Sequence, residues 1–250
     1  MDYLLNSLIG TIAGVIEVTL LQPLVYFKNT TQQGKLHLTF NPSIIYRGVY
    51  MSMFNMSMMT GIQVPLSRLI STKIFNNNIL PASIIGGYLS GYFCSPVELI
   101  IIQQQKHGYN MIKTSKYIIN KYSVLKLLKG SYSGCFRESI FAFGYLGIAP
   151  KVSSYLINER KLSSYYTKLI CALGLAPITA AISHPFDTIK TCMQSDINGN
   201  KSMKNTAIEL YNEGGIRRFY NGYFWRASKM VGAFFILNET ITRLTKVFFQ

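Results

Sequence analysis

Three stretches of this chain carry a carboxamide and an acid, a base or both at fixed distances from a proline. Pro185-Phe-Asp187-Thr-Ile-Lys190-Thr-Cys-Met-Gln194 places the acid two residues on, the base five on and Gln nine on. Pro96 is followed at the same offsets by Glu98, Ile101 and Gln105, and Pro23 by Val25, Lys28 and Gln32. An acid and a base three residues apart lie on nearly one face of a helix. Set in a ring, the acid of one helix reaches the base of the next, and such a ring can open and close. A proline inside a helix removes one backbone donor and kinks it. Kinks at Pro23, Pro96 and Pro185, at equal depth, would draw their helices together at one end.

The rest of the sequence shows what must position these groups. Among 250 residues, 49% are hydrophobic and only 14% charged, against about 25% charged in soluble domains. Mean hydropathy is +0.21. A bilayer core needs about 20 apolar residues per helix, and six stretches qualify. They are Leu4–Phe27, with only Glu17 charged; Val49–Ser67, with no charge; Leu80–Gln105, with only Glu98; Ser131–Pro150, with the doublet Arg137-Glu138; Leu169–Ile189, with Asp187; and Gly222–Phe249, the most polar. Met111–Tyr122 and Lys201–Glu213 read as short amphipathic helices between spans, and Asn41-Pro42 as a turn in the shorter first connection. Short links at Ser71–Asn78 and Asn158–Tyr165 complete three hairpins, with both termini on one side.

The hairpins are copies of one unit. Twenty-five to 37 residues after each proline comes a glycine behind a polar residue: Arg47-Gly48, Lys129-Gly130 and Asn221-Gly222. Upstream of each proline small residues recur four apart, as Gly10 and Gly14, Ser83 and Gly87, Ala172 and Ala176, a spacing that lets membrane helices approach closely.

Over its whole length, residues 1–250, the chain resembles the mitochondrial carrier family, whose repeat signature is Px[DE]xx[KR]xxxQ followed by a glycine-containing stretch. The third copy is a complete match and the other two depart at one charged position each. The resemblance implies an all-α membrane protein. Six transmembrane helices, in three pseudo-threefold hairpin repeats (1–78, 79–161 and 162–250), would form one barrel around a central cavity, with a gate on each side and alternating access. The family pairs the acid of span 1 with the base of span 3, so Val25 and Ile101 fall on the two partners of one pair. The remaining gate pairs would be Glu98 with Lys190 and Asp187 with Lys28, braced by Gln32, Gln105 and Gln194. Losing both partners together avoids leaving one charge buried alone. On the opposite side the family's aromatic-acid-xx-base pattern is nearly absent: span 2 offers only Arg68, span 4 ends in Ala149-Pro150-Lys151, and span 6 has Glu239 and Arg243 at helical spacing.

Substrate contacts in the family fall about two turns past the conserved glycines. Counting seven on gives Asn55, Arg137 and Lys229; Glu138 adjoins Arg137, Met59 lies one turn past Asn55, and Glu17 is a further candidate on span 1. An arginine–glutamate doublet on span 4 is similar to carriers of amino acids and S-adenosylmethionine, with Arg137 on a carboxylate and Glu138 on an ammonium. Against that stand Lys229 and a net charge of 25 − 10 = +15, which suit a nucleotide or deoxynucleotide. A third reading keeps the barrel as a non-transporting receptor or adaptor.

Other chemistries find little support. The cations are scattered and cluster at the ends of apolar runs, which suits anionic lipid such as cardiolipin, or an anionic solute, better than nucleic acid. Cys94, Cys135, Cys171 and Cys192 make no CxxC, and His37, His107 and His184 lie far apart, so neither a metal site nor a cofactor is expected. No nucleophile–base constellation suggests an enzyme, and no secretory signal or Arg/Ser-rich transit peptide is evident. The expectation is a monomeric multi-pass exchanger of small charged metabolites in the mitochondrial inner membrane.

Overall fold

Charge-poor runs with few turn residues fold into long helices here, and the helices overrun the apolar stretches that seed them. The structure, a computed structural model, describes residues 2–34, 39–199 and 201–249; His37 and the packing of Gly10 lie outside the described residues. Every regular element among these residues is helical. The α-helices are α1 (Asp2–Gln32), α2 (Pro42–Ile45), α3 (Val49–Ile74), α4 (Ile79–His107), α5 (Met111–Lys121), α6 (Ser131–Ala142), α7 (Ala149–Asn158), α8 (Ser164–Ile170), α9 (Ala176–Ser195), α10 (Met203–Phe219) and α11 (Tyr223–Phe249), with a short 3-10 helix at Val124–Leu128. Asn41-Pro42 opens a helix where a plain turn was expected: the Asn41 side chain accepts from Ser43 N at 3.0 Å, and the proline, needing no donor, fills the first turn. The third amphipathic connection runs on past Glu213 to Phe219, bending at Gly214 and Gly215.

Two π-helical segments join shorter helices into continuous rods. Phe143–Ile148 links α6 to α7 and Cys171–Leu175 links α8 to α9. Each precedes a proline, Pro150 or Pro177, in the first turn of the following helix. A proline ring clashes with the carbonyl four residues back and offers no N–H to it. Residues 146 and 173 hold those carbonyls, and the wider turn relieves the clash in both places.

Among the described residues three helical stretches are long and apolar enough to cross a bilayer: Ile79–His107, Val124–Asn158 and Ser164–Ser195. The charge-free run Val49–Ser67 is not among them. Its serines, Asn55, Thr60 and Gln63 dilute its methionines, so freedom from charge did not amount to apolarity.

Neighbour contacts close on themselves. α1 packs on α3, α3 on α4, α4 on α6, α6 on α9, α9 on α11, and α11 back on α1. α9 also meets α1 and α4 across the interior. Pro23, Pro96 and Pro185 lie inside these three inner helices. The α4–α6 seam needs a residue without a side chain: a Cβ on Gly87 would lie 2.5 Å from the Glu138 carbonyl oxygen. Ala172 and Ala176 are buried in an apolar cluster with Met230 and Phe234 of α11.

One local geometry occurs three times. Gly48, Gly130 and Gly222 all have left-handed backbones, with φ of 82°, 79° and 83°, where the chain turns into α3, α6 and α11. Each backs onto the signature segment of a neighbouring helix: Gly48 onto Ile101 and Gln104, Gly130 onto Lys190 and Gln194, Gly222 onto Lys28 and Gln32. A side chain at these turns would be strained by φ and crowded by the segment behind it.

Candidate functional site

The signature acids and bases meet where α1, α4 and α9 converge. Lys28 Nζ lies 2.8 Å from Asp187 Oδ2, joining α1 to α9, and Lys190 Nζ lies 2.7 Å from Glu98 Oε2, joining α9 to α4. All four side chains are buried or nearly so, with the Asp187 carboxylate 1% exposed. Isolated, such charges would be strongly disfavoured; paired, each offsets the desolvation of the other.

The three signature glutamines serve different ends. Gln32 Nε2 donates to Asp187 Oδ2 at 2.8 Å and so braces the Lys28 pair directly. Gln105 Oε1 accepts from Asn29 Nδ2 at 2.7 Å. Asn29 and Gln105 lie one turn past Val25 and Ile101, so this amide bridge ties α1 to α4 where no ion pair is available. Gln194, expected to brace the Glu98–Lys190 pair, instead donates to Ser95 O and Oγ at 3.4 Å, while Gln103 Nε2 donates to the Gln194 carbonyl at 2.6 Å. It stitches α9 to α4 below the charges.

A cavity of about 330 Å³ sits against this cluster. Asn55, Met59, Arg137, Glu138, Lys229 and Glu17 all line it, and so do Lys28, Glu98, Asp187 and Lys190. The two sets of residues therefore share one space. Lys229 Nζ pairs with Glu17 Oε1 at 2.9 Å, binding α11 to α1. The Glu17 carboxylate is fully buried. Arg137 does not stand free at the wall. Its guanidinium donates to Glu98 at 2.5 Å, to Asp187 at 3.2 Å and to its neighbour Glu138.

Spacing did not single out three contributors. Arg226 lies 3.6 Å from Asp187 and donates to Ser183 O and Oγ at 3.2 and 2.6 Å. It is four residues past Gly222, one turn nearer the glycine than Lys229 and on the same face, so the count of seven stepped over it. Gln63 of α3 brings a buried amide to the cavity; its Nε2 and Asn55 Oδ1 make no hydrogen bond among the described residues. Phe141, Tyr145 and Phe234 form an aromatic wall, with Phe141 stacked on Tyr145 at 5.8 Å and Tyr145 edge-on to Phe234 at 5.2 Å.

The opposite end has no comparable ring among the described residues. Glu239 and Arg243 pair within α11 at 2.8 Å, exposed, rather than between helices. Among the described residues no cluster of His, Cys, Asp and Glu has the makings of a metal site. The arrangement is suited to holding a small charged solute between opposed acids and bases, next to ion pairs that lock three helices together.

Residues 161–248 match the family described as mitochondrial carrier protein. The chain is 25% identical over 218 residues to a mitochondrial substrate carrier family protein of Dictyostelium discoideum, covering 76% of this chain and 72% of that protein. It is 28% identical over 155 residues to a mitochondrial thiamine pyrophosphate carrier of Candida albicans, covering 57% of this chain and 52% of that one. A mitochondrial glycine transporter of Kluyveromyces lactis is 21% identical over 261 residues, covering 88% and 89%. These similarities support the mitochondrial carrier family and, with it, solute transport through a mitochondrial membrane.

Proposed function

We propose that the chain is a solute carrier of the mitochondrial inner membrane, moving a small charged metabolite by alternating access and exchange. Six helical rods built as three repeats, 1–78, 79–161 and 162–250, span the bilayer as a monomer in contact with anionic lipid such as cardiolipin. The Lys28–Asp187 and Glu98–Lys190 pairs form the gate at the signature end. The substrate is amino-acid-like or of the S-adenosylmethionine type. One observation carries this: the 330 Å³ cavity presents carboxylates and cations to the same small space. A zwitterion meets a partner for each of its charges there, Arg137 for its carboxylate and Glu138 for its ammonium, while neutral Asn55 and Gln63 receive the remaining polar atoms. The volume lies at the small end of ligand sites, about 300–1,000 Å³.

A second reading, a nucleotide or deoxynucleotide, draws on the charge at the wall. Lys28, Arg137, Lys190, Arg226 and Lys229 face Glu17, Glu98, Glu138 and Asp187, which leaves 5 − 4 = +1. The thiamine pyrophosphate carrier among the relatives likewise has a phosphorylated solute in its name. The two readings divide on Glu138. Uptake into liposomes by Glu138→Gln should vanish for amino acids and S-adenosylmethionine if Glu138 holds an ammonium. It should be unchanged or improved for nucleotides if Glu138 opposes phosphate, and Lys229→Ala should then be the crippling change.

A further inference from the structure

We infer that Arg137 is the third base of the signature-end gate, standing in from the neighbouring helix α6 for the base that position 101 lacks. The inference rests on the carrier reading. At their signature positions the three inner helices offer two acids, Glu98 and Asp187, and two bases, Lys28 and Lys190; position 101 is isoleucine and position 25 valine. Each acid has two carboxylate oxygens, and Lys28 and Lys190 each take one: Asp187 Oδ2 and Glu98 Oε2. The other two, Asp187 Oδ1 and Glu98 Oε1, go to Arg137, through Nη1 at 3.2 Å and Nη2 at 2.5 Å. The result is one unbroken run of charge, Lys28–Asp187–Arg137–Glu98–Lys190. Only a forked, planar cation of this reach spans two carboxylates on different helices. Arg226 adds a fourth cation at 3.6 Å from Asp187, and Glu138 adds a third acid beside Arg137.

This placement has a consequence for transport. Arg137 lies on the cavity wall as well as in the run, so an anionic group entering the cavity competes with Glu98 and Asp187 for the same guanidinium. Each bond the solute makes to Arg137 is a bond withdrawn from the gate. Binding and unlocking are thereby joined in one side chain, and a solute without an anionic group has no hold on the lock.

The test exploits the vacant ring position, because Ile101 is three residues from Glu98 on the same helix face. In the wild type, Ile101→Lys adds a cation to a cluster already holding Lys28, Arg137, Lys190 and Arg226 against three acids, and the melting midpoint in detergent should fall. Arg137→Met should by itself lower the midpoint by about 5–10 °C, since it strips one oxygen of each gate acid of its partner. Adding Ile101→Lys to Arg137→Met should then raise the midpoint, a reversal of sign. Arg137→Lys covers the case in which Arg137→Met does not fold: one ammonium cannot span both acids, so Ile101→Lys should again raise its midpoint. A fall of similar size in every background would overturn the inference. The midpoints need no substrate, so they stand apart from the transport reading, which fails if wild-type vesicles take up none of a panel of amino acids, S-adenosylmethionine and deoxynucleotides.

Discussion

Asp187 is the most heavily committed residue of the site, and its contacts rank the effects of neutralising each member. It meets Lys28, Arg137 and Arg226 and accepts from Gln32. Asp187→Asn would leave three buried cations short of one carboxylate and should cost about 3–5 kcal/mol. Lys28→Met removes one of three cations and leaves Asp187 with two, so it should cost about 1–3 kcal/mol. Thermal or denaturant unfolding in detergent gives both, and the reverse order would mean that Arg137 and Arg226 do not hold Asp187. The Glu17–Lys229 pair is separate from this run. Glu17→Gln and Lys229→Met should show a coupling of about 0.5–3 kcal/mol in a double-mutant cycle, and independent effects would argue that the two do not meet.

At this scale the sequence was informative where spacing alone decides geometry. Pro, acid, base and Gln recur on rigid helices, so the offsets bring these groups to one level, and the resemblance to the carrier family paired Lys28 with Asp187 and Glu98 with Lys190. It was silent where a long side chain chooses among several acceptors. Seven residues past Gly130 sets the level of Arg137 but not its direction, and the guanidinium reaches toward Glu98 and Asp187. Arg226 was visible only as one of five charges in the last span. The Asn29–Gln105 bridge had a readable trace, since a carboxamide stands one turn past each defective signature position.

Between elements, the seams depend on absent side chains. Gly87→Val should push α4 from α6, because its Cβ alone would fall 2.5 Å from a backbone oxygen; an unfolding midpoint lowered by several degrees is expected, on the order of 2–4 °C per kcal/mol. Gly61→Ala is the control. Nothing lies within 4 Å of that position, and an alanine inside helix α3 should be neutral or stabilise by about 0.5–1 kcal/mol. Equal effects at the two positions would mean that α4 and α6 are not held this closely. The α1–α4 seam gives the companion experiment. Val25→Asp with Ile101→Lys restores an ion pair beside the Asn29–Gln105 bridge, so the double variant should be more stable than the sum of the single ones; simple additivity would show that positions 25 and 101 do not face each other. Most helix starts were legible to within a few residues because charge-poor runs are punctuated, but the ends ran on, α3 to Ile74 past Ser67 and α7 to Asn158 past Pro150, because a helix continues through polar residues beyond the apolar run. The π segments were not legible, since Pro150 and Pro177 read equally well as kinks, as breaks or as first-turn prolines until the carbonyls behind them are placed.

For the whole molecule, the helices close in a ring, the ion pairs cluster where the inner helices converge, and the cavity lies against that cluster. One sequence pattern recurs three times, and a left-handed glycine turn recurs with it at Gly48, Gly130 and Gly222. Membrane crossing was less legible for Val49–Ser67, whose serines, Asn55, Thr60 and Gln63 keep a charge-free run from being strongly apolar. The solute was least legible of all, because the wall mixes acids and bases almost evenly. The central claim is transport, and uptake by reconstituted liposomes tests it most directly. Vesicles holding the purified protein would be loaded with amino acids, S-adenosylmethionine or deoxynucleotides and given the same labelled compounds outside, with Asp187→Asn vesicles in parallel. The expected result is saturable uptake of one class, dependent on internal solute and lost in Asp187→Asn. Well-folded wild-type protein that takes up none of them, or uptake undiminished in Asp187→Asn, would contradict the account and return the chain to the role of a receptor or adaptor.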